Sequence, residues 1–300
     1  MIVVGLGKAG CNIAKAFSKF PQYETLGIDT DDSADITIRK KTNHEDYDEN
    51  FPNLRRKLKF SNEDVSVIIA GSGQISGGSL RLLEQLNKNK LTVIYIQGDT
   101  AIMSEVQKKQ EKIVRNVLQE YARSGIIESM IMVSNSALER SIGDMSIIGY
   151  YDTLNQAIVN TIHMINVFKH TEPVIGNFIQ PAQTSRIATI GIVDITDEDE
   201  RNHTEKWFYP LTGVRDVVYY YGISEEDLKN DGTLFRKINS FVKSRVDDAL
   251  NVSYGVFKTT YEQKYCYCIR YTSVVQSYAE LLDDQEISLS YYNPKRRLKW

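Results

Sequence analysis

The chain has 300 residues, a formal charge of -3, 42% hydrophobic and 25% charged residues, which excludes a disordered or collagen-like chain and allows one large domain or two moderate ones. The slightly negative balance argues against a dedicated nucleic-acid binder, and three cysteines, which cannot all pair, suit a reducing compartment. No apolar run approaches the roughly 20 residues of a membrane span, and Met1 opens directly into a strand rather than a leader, so the expectation is a cytoplasmic protein without membrane contact.

The first half alternates strand-like and helix-like patterns. Met1–Val4 is a short apolar run, followed by the glycine-broken GLGKAG and a helical pattern over Cys11–Phe20. Glu24–Ile28 reads as a second strand ending in Asp29, Thr30, Asp31 and Asp32, and His44–Pro52, with few apolar anchors, as a loop. Val65–Ala70 is continuously apolar and β-branched, as a strand buried on both faces requires. A glycine-rich turn, a helix over Leu80–Asn87 and a buried strand over Thr92–Ile96 follow. Ser104–Tyr121 carries Val106, Ile113, Val117 and Tyr121 on one predicted helix face, and Ile131–Val133 is one more strand. Strands alternating with helices imply a parallel sheet with crossover helices.

Met145–Lys169 predicts one long helix, apolar along Ile148, Tyr151, Ile158, Ile162, Ile165 and Phe168, with His163 as a packed histidine. Beyond it, Ile187–Ile195 and the tyrosine-rich Val217–Tyr221 read as strands, and Asp231–Val246 as a helix capped by Asp231. Tyr254–Thr260 and Tyr265–Thr272 alternate like a hairpin, with Cys266 and Cys268 as core thiols on one face. The end holds a short helix and the basic NPKRRLKW. The organisation expected is an α/β domain over 1–143, a connecting helix over 144–170, a smaller α+β domain over 171–276 and a tail over 277–300.

Two glycine loops carry the chemistry. Gly5, Leu6, Gly7, Lys8, Ala9 and Gly10 follow a strand and open a helix, where backbone N–H groups and the helix N-terminus favour a phosphate. The same spacing fits a dinucleotide fingerprint, with Asp29 or Asp31 as the ribose acid, so an NAD-binding Rossmann-type protein is one reading. Gly71, Ser72, Gly73, Gln74, Ile75, Ser76, Gly77 and Gly78 again follow a buried strand and open a helix. A dinucleotide site needs one such loop, whereas two could hold a longer phosphate chain from both sides.

With this second loop the sequence resembles the tubulin/FtsZ superfamily of GTPases. GSGQISG (Gly71–Gly77) is similar to the signature GGGTGTG, GLGKAGCN, ending in Cys11 and Asn12, to the GGGGGN loop, and DTDDSA (Asp29–Ala34) to NTDAQA. Glu105 and Lys109 resemble the family's ribose-contacting Glu and its basic partner, Ser134-Asn135-Ser136 its Pro-Asn-Asp loop, and YDTLNQAI (Tyr151–Ile158) its FGAANDVL. The resemblance implies an α/β parallel-sheet GTPase domain, a long central helix and a smaller α+β domain. It implies GTP or GDP, with Mg2+ an optional companion. Gly5, Gly7, Lys8, Ala9, Gly10, Cys11, Asn12, Asp31 and Gly71–Gly77 would hold phosphates, Glu105 and Lys109 the ribose side, and Asn135, Tyr151 and Asn155 the base. It also implies head-to-tail self-assembly into filaments.

The departures from the family pattern shape the expectation as strongly. The inter-subunit loop, roughly NxDFAD in FtsZ, corresponds to Asn177-Phe178-Ile179-Gln180-Pro181-Ala182, with Ile179 and Ala182 where carboxylates belong. Weak or absent hydrolysis is therefore expected, unless acids of Asp194–Glu200 substitute. Lys8 stands where FtsZ has glycine, to pair with a phosphate or point to solvent. Asp29, Asp31 and Asp32 form either a magnesium-side cluster or a solvated turn, and no set of protein metal ligands is identified. The basic tail offers a contact for an acidic partner or a solvated end. A non-polymerising tubulin-like structural or capping protein is the third reading.

Overall fold

The computed structural model describes every residue except 61, 62, 196, 198, 200, 201, 247, 248 and 278–300. The expected tail helix and basic end lie outside the described residues, as do three residues of the acidic 194–200 stretch.

Chain order through the first half is β1 (Ile2–Leu6), α1 (Gly7–Phe17), β2 (Glu24–Asp29), β3 (Ile36–Thr37), α2 (His44–Glu49), β4 (Asp64–Ala70), a 3-10 turn (Gln74–Gly78), α3 (Ser79–Gln85), β5 (Lys90–Gln97), α4 (Glu105–Arg123), β6 (Ser129–Ser134), α5 (Asn135–Ile142) and α6 (Tyr150–Lys169). The second half adds β7 (Ile175–Asn177), β8 (Ile187–Asp194), β9 (Thr204–Trp207), β10 (Val214–Ser224), α7 (Glu225–Asn230), α8 (Leu234–Ser244), β11 (Asn251–Thr259) and β12 (Tyr265–Thr272).

Both halves share one sheet in the order β3-β2-β1-β4-β5-β6-β8-β12-β10-β11-β7, with β9 paired to β8. The first six are parallel. β1 and β4 are buried on both faces, which explains their unbroken apolar runs. β6 and β8 join the halves through two register pairs, Met130 with Ile187 and Ile131 with Ala188. Helix α6 reinforces that seam. Leu154, Ile158, Ile162 and Phe168 pack in one core with Val3, Ile68 and Ile131 of the first half and Ile190, Val218 and Ile269 of the second. His163 is buried in this layer, stacked on Phe20 at 3.6 Å with Nδ1 3.2 Å from the Tyr23 hydroxyl.

Several elements differ from the sequence expectation. The 44–52 stretch contains α2, because the Asn43 N–H donates to the Asp46 carboxylate at 3.3 Å and His44 and Tyr47 are buried. Helix α6 starts at Tyr150 rather than Met145, since Gly149 takes a left-handed φ of 82° and Ile148 is left in solvent. The expected hairpin is absent: β10 lies between the two strands, parallel to β11 and antiparallel to β12. A period-two pattern reports the face of a strand, not its neighbour. Helix α7 is additional, and Thr233 rather than Asp231 precedes α8. The Asp231 carboxylate instead accepts from the Thr233 N–H at 3.0 Å. Cys266 and Cys268 are buried free thiols in the core against α8.

Helix α4 inverts the expected amphipathicity. Its buried positions are Glu111, Val114, Arg115, Leu118, Gln119 and Ala122, whereas Val106 and Ile113 are exposed. Polar residues can occupy this face because each finds a partner. The Tyr95 hydroxyl donates to Glu111 Oε1 at 2.8 Å, Arg115 Nε donates to the same oxygen at 3.0 Å, and Gln119 bonds the Gln276 backbone in both directions.

Candidate functional site

The parallel strands release their chains at one edge of the sheet. From β1 the chain turns through α1 toward β2; from the adjacent β4 it turns through α3 toward β5 on the other side. Where the winding direction reverses, a crevice opens outside the strand ends, the usual ligand position in such sheets. The two glycine loops lie on its two sides.

Close approach dictates the glycines of the first loop. A Cβ on Gly5 would stand 2.3 Å from the Gly10 carbonyl oxygen, and one on Gly10 2.7 Å from that of Ile68, so α1 rests directly on β1 and β4. Gly7 has φ 74°, and its missing Cβ would lie 2.5 Å from Cγ2 of Ile75, in the second loop. The sequence-predicted loops therefore touch. Lys8, Ala9 and Asn12 face solvent in the first turns of α1, while Cys11 is half-buried with Sγ 3.6 Å from the Gly5 and Ile28 carbonyl oxygens. Burial, with a smaller push from Asp29, raises its thiol to about 11, so it stays protonated at neutral pH. Asp31 is exposed and held below the usual carboxylate range by hydrogen bonds from Ser33, with a smaller contribution from the Lys8 charge.

In the second loop, Gly71 makes room for the Tyr95 hydroxyl and Gly77 for the His44 carbonyl. The Ser76 hydroxyl is buried against the Gly71 and Gly73 carbonyls, at 3.0 and 2.6 Å, and lies 3.3 Å from His44 Nε2. It builds the loop rather than facing the crevice. Ser72, Gly73, Gln74 and Ile75 are at least partly accessible.

Glu105 and Asn135 open α4 and α5 at the same edge. Glu105 pairs with Lys108 at 3.0 Å, not with the expected Lys109, which is exposed. Tyr151 is exposed in the first turn of α6, edge-on to Tyr150 at 5.1 Å, and Asn155 is half-buried one turn on. One residue was missed from sequence: Gln97, ending β5 in register with Ser134, is 1% exposed with no partner for Oε1 among the described residues. A glutamine closing an otherwise apolar strand was the available signal.

Asn177 and Gln180 lie apart from this cluster. Helix α6 carries the chain about 30 Å along its axis before β7, an exposed edge strand on β11. Val174, Ile175, Phe178 and Ile179 are exposed there, and at the crevice end Ile102, Ile147, Ile148 and Tyr151 are exposed. A separate cavity of about 580 Å³ between Ser224–Asp227 and Lys258–Glu262 is lined by side chains already ion-paired, such as Glu225, which Lys258 and Lys229 hold down to about 2. No helix among the described residues is long and apolar enough to cross a membrane.

No protein-family model matches this sequence, and no curated protein matches it. Solved structures do. FtsZ of M. jannaschii superposes with a TM-score of 0.68 at 14% identity, covering 90% of this chain and 87% of that one. TubZ of Bacillus thuringiensis serovar israelensis, solved as GDP-form protofilaments, gives 0.69 at 16% identity over 96% and 89%. CetZ2 of Haloferax volcanii, solved as a GTPγS-bound protofilament, gives 0.65 at 17% identity over 92% and 93%. The chain has the tubulin/FtsZ fold, an α/β architecture on a large, mostly parallel sheet.

Proposed function

We propose that this protein binds a guanine nucleotide in the crevice between its two glycine loops and assembles head to tail into filaments, with slow or no hydrolysis. The observation that carries the reading is the Gly7–Ile75 contact, which sets both loops around one switch point. Backbone N–H groups of 5–12 and 71–77 would face the phosphates and Lys8 would add a cation, with Asp31 beside it for an accompanying Mg2+. Glu105 would take the ribose, and Asn135, Tyr151 and Asn155 the base. Since Ser76 is occupied internally, the second loop would act through its backbone.

Assembly is supported by the apolar groups exposed at both ends of α6, which different surfaces of two copies would cover. Such heterologous contacts propagate into filaments when the rotation does not close. The relatives solved as protofilaments supply the precedent. A neighbour's Asn177–Ala182 stretch would reach the nucleotide without a carboxylate to orient water, hence the slow turnover.

The order β3-β2-β1-β4-β5-β6 is also that of dinucleotide-binding sheets, which favours NAD as a second reading. It leaves the second loop and the C-terminal half without a role. Sedimentation with GTP, a slowly hydrolysed analogue, NAD or nothing, with phosphate release in parallel, tests both. Pelleting with GTP and analogue alike and little phosphate release is expected. Thermal stabilisation by NAD alone would transfer the site to the dinucleotide reading, and GTP binding without pelleting would favour the capping protein.

A further inference from the structure

Helix α4 buries an ion pair and leaves its apolar stripe in water. Val106 is 63% and Ile113 56% exposed, and the half-buried Val117 and Tyr121 continue the line. Something must cover a helix face of this kind for the arrangement to be favourable.

The chain itself passes beside it. After β12, the Gln276 backbone is bonded to Gln119 and Arg115 of α4, and its side-chain oxygen accepts from the Thr212 N–H at 2.8 Å. Tyr209 fixes the next residue through the Ser277 carbonyl at 3.1 Å. The segment 278–290, which lies outside the described residues, follows from this anchor. It contains Tyr278, Leu281, Leu282, Ile287 and Leu289, with Glu280, Asp283, Asp284 and Glu286 and no Lys or Arg. At about 100° per residue, Lys112 and Lys109 lie between the Gln119 side of α4 and the Ile113–Val106 stripe. Both lysines are exposed.

We propose that residues 278–290 bind across the outer face of α4 in the same chain, with Leu281 and Leu282 on Ile113 and Val106 and the carboxylates against Lys109 and Lys112. Reach is ample: Gln119 to Val106 is about 20 Å along the helix, a span covered by roughly six extended residues. Tethering at Gln276 gives this segment an effective concentration of order millimolar, which a second copy must exceed to displace it. Because α4 begins with Glu105 at the crevice, the strap links the C-terminal segment to the candidate site.

Disulfide trapping in the full-length chain tests this. Ile113→Cys is combined in turn with Leu281→Cys, Leu282→Cys and Ile287→Cys, and compared with each single variant to account for the half-buried Cys11. The expected result is a cross-link within one chain, its yield independent of protein dilution and reduced several-fold by Asp283→Lys with Asp284→Lys. Cross-links only between chains, with yield rising with concentration, would assign the stripe to a second copy and overturn the proposal. So would no cross-link in any pair, or one unaffected by the charge reversal. Amide exchange of α4 supplies a second measurement: Leu281→Asp with Leu282→Asp should speed it while leaving the exchange of β4 and β5 unchanged, and equal α4 exchange overturns the idea.

Discussion

Ile75 Cγ2 occupies the place that a Cβ on Gly7 would claim, 2.5 Å away, and so couples the first glycine loop to the second. Gly7→Ala meets two separate penalties, a left-handed φ costing about 1–2 kcal/mol and an overpacked contact of similar size. Denaturant melts should show the sum. Gly7→Ala with Ile75→Ala should recover the contact part but not the backbone part, and full recovery would mean that φ is not constrained.

Lys8 is exposed, so Lys8→Ala should leave the melting temperature unchanged. If the ammonium meets a phosphate, nucleotide affinity should fall about tenfold or more, as expected for a charge-assisted bond of about 1.5–3 kcal/mol. Equilibrium titration with GTP in the presence and absence of Mg2+ reads this directly; unchanged affinity in both would place Lys8 in solvent.

Ile179 and Ala182 are accessible enough to accept carboxylates. Installing both, as Ile179→Asp with Ala182→Asp, should raise phosphate release in proportion to the sedimenting fraction. A rise in dilute, unassembled protein would show that the loop acts within its own subunit, contrary to its position beyond α6.

Glu111 and Arg115 are both essentially inaccessible, and Glu111 Oε1 serves two donors. Glu111→Leu alone should cost about 3–5 kcal/mol by stranding the guanidinium. Pairing it with Arg115→Met should recover much of that loss, and the double-mutant cycle measures the coupling.

Burial, and to a smaller degree Lys19, lowers the His163 pKa below 6.5. The unfolded chain then binds the proton more readily, so this stability is present above about pH 6.5 and is lost as pH falls toward the folded-state value. His44 is shifted in the same direction and cancels in a comparison of variants. Melting temperatures at about pH 7.5 and 5.5 should converge more in His163→Phe than in the unsubstituted chain. Equal pH dependence would remove His163 from the account.

The parts of the molecule legible in the sequence are those where one local rule governs. Doubly buried strands such as Val65–Ala70 announce themselves by unbroken β-branched runs, and the glycine loops by their place between strand and helix. Helix α4 was legible as a helix but not in its orientation, because Glu111, Arg115 and Gln119 are satisfied by Tyr95 and Gln276, partners distant in sequence. Strand neighbours were illegible for the same reason: Tyr265–Thr272 alternates identically whether β11 or β10 lies beside it. At the crevice, residue types pointed to the site, while the inward turn of Ser76 and the Glu105–Lys108 pairing depended on rotamers and caps that spacing does not encode.

β12, the last strand in sequence, lies in the middle of the sheet between β8 and β10. The ribosome therefore delivers the keystone after everything it holds together. During synthesis, the edges of β8 and β10 are open to wrong partners until Tyr265–Thr272 emerges. Faithful production of this protein depends on reaching the end of its message quickly, and a stalled or shortened chain would be a ready seed for aggregation.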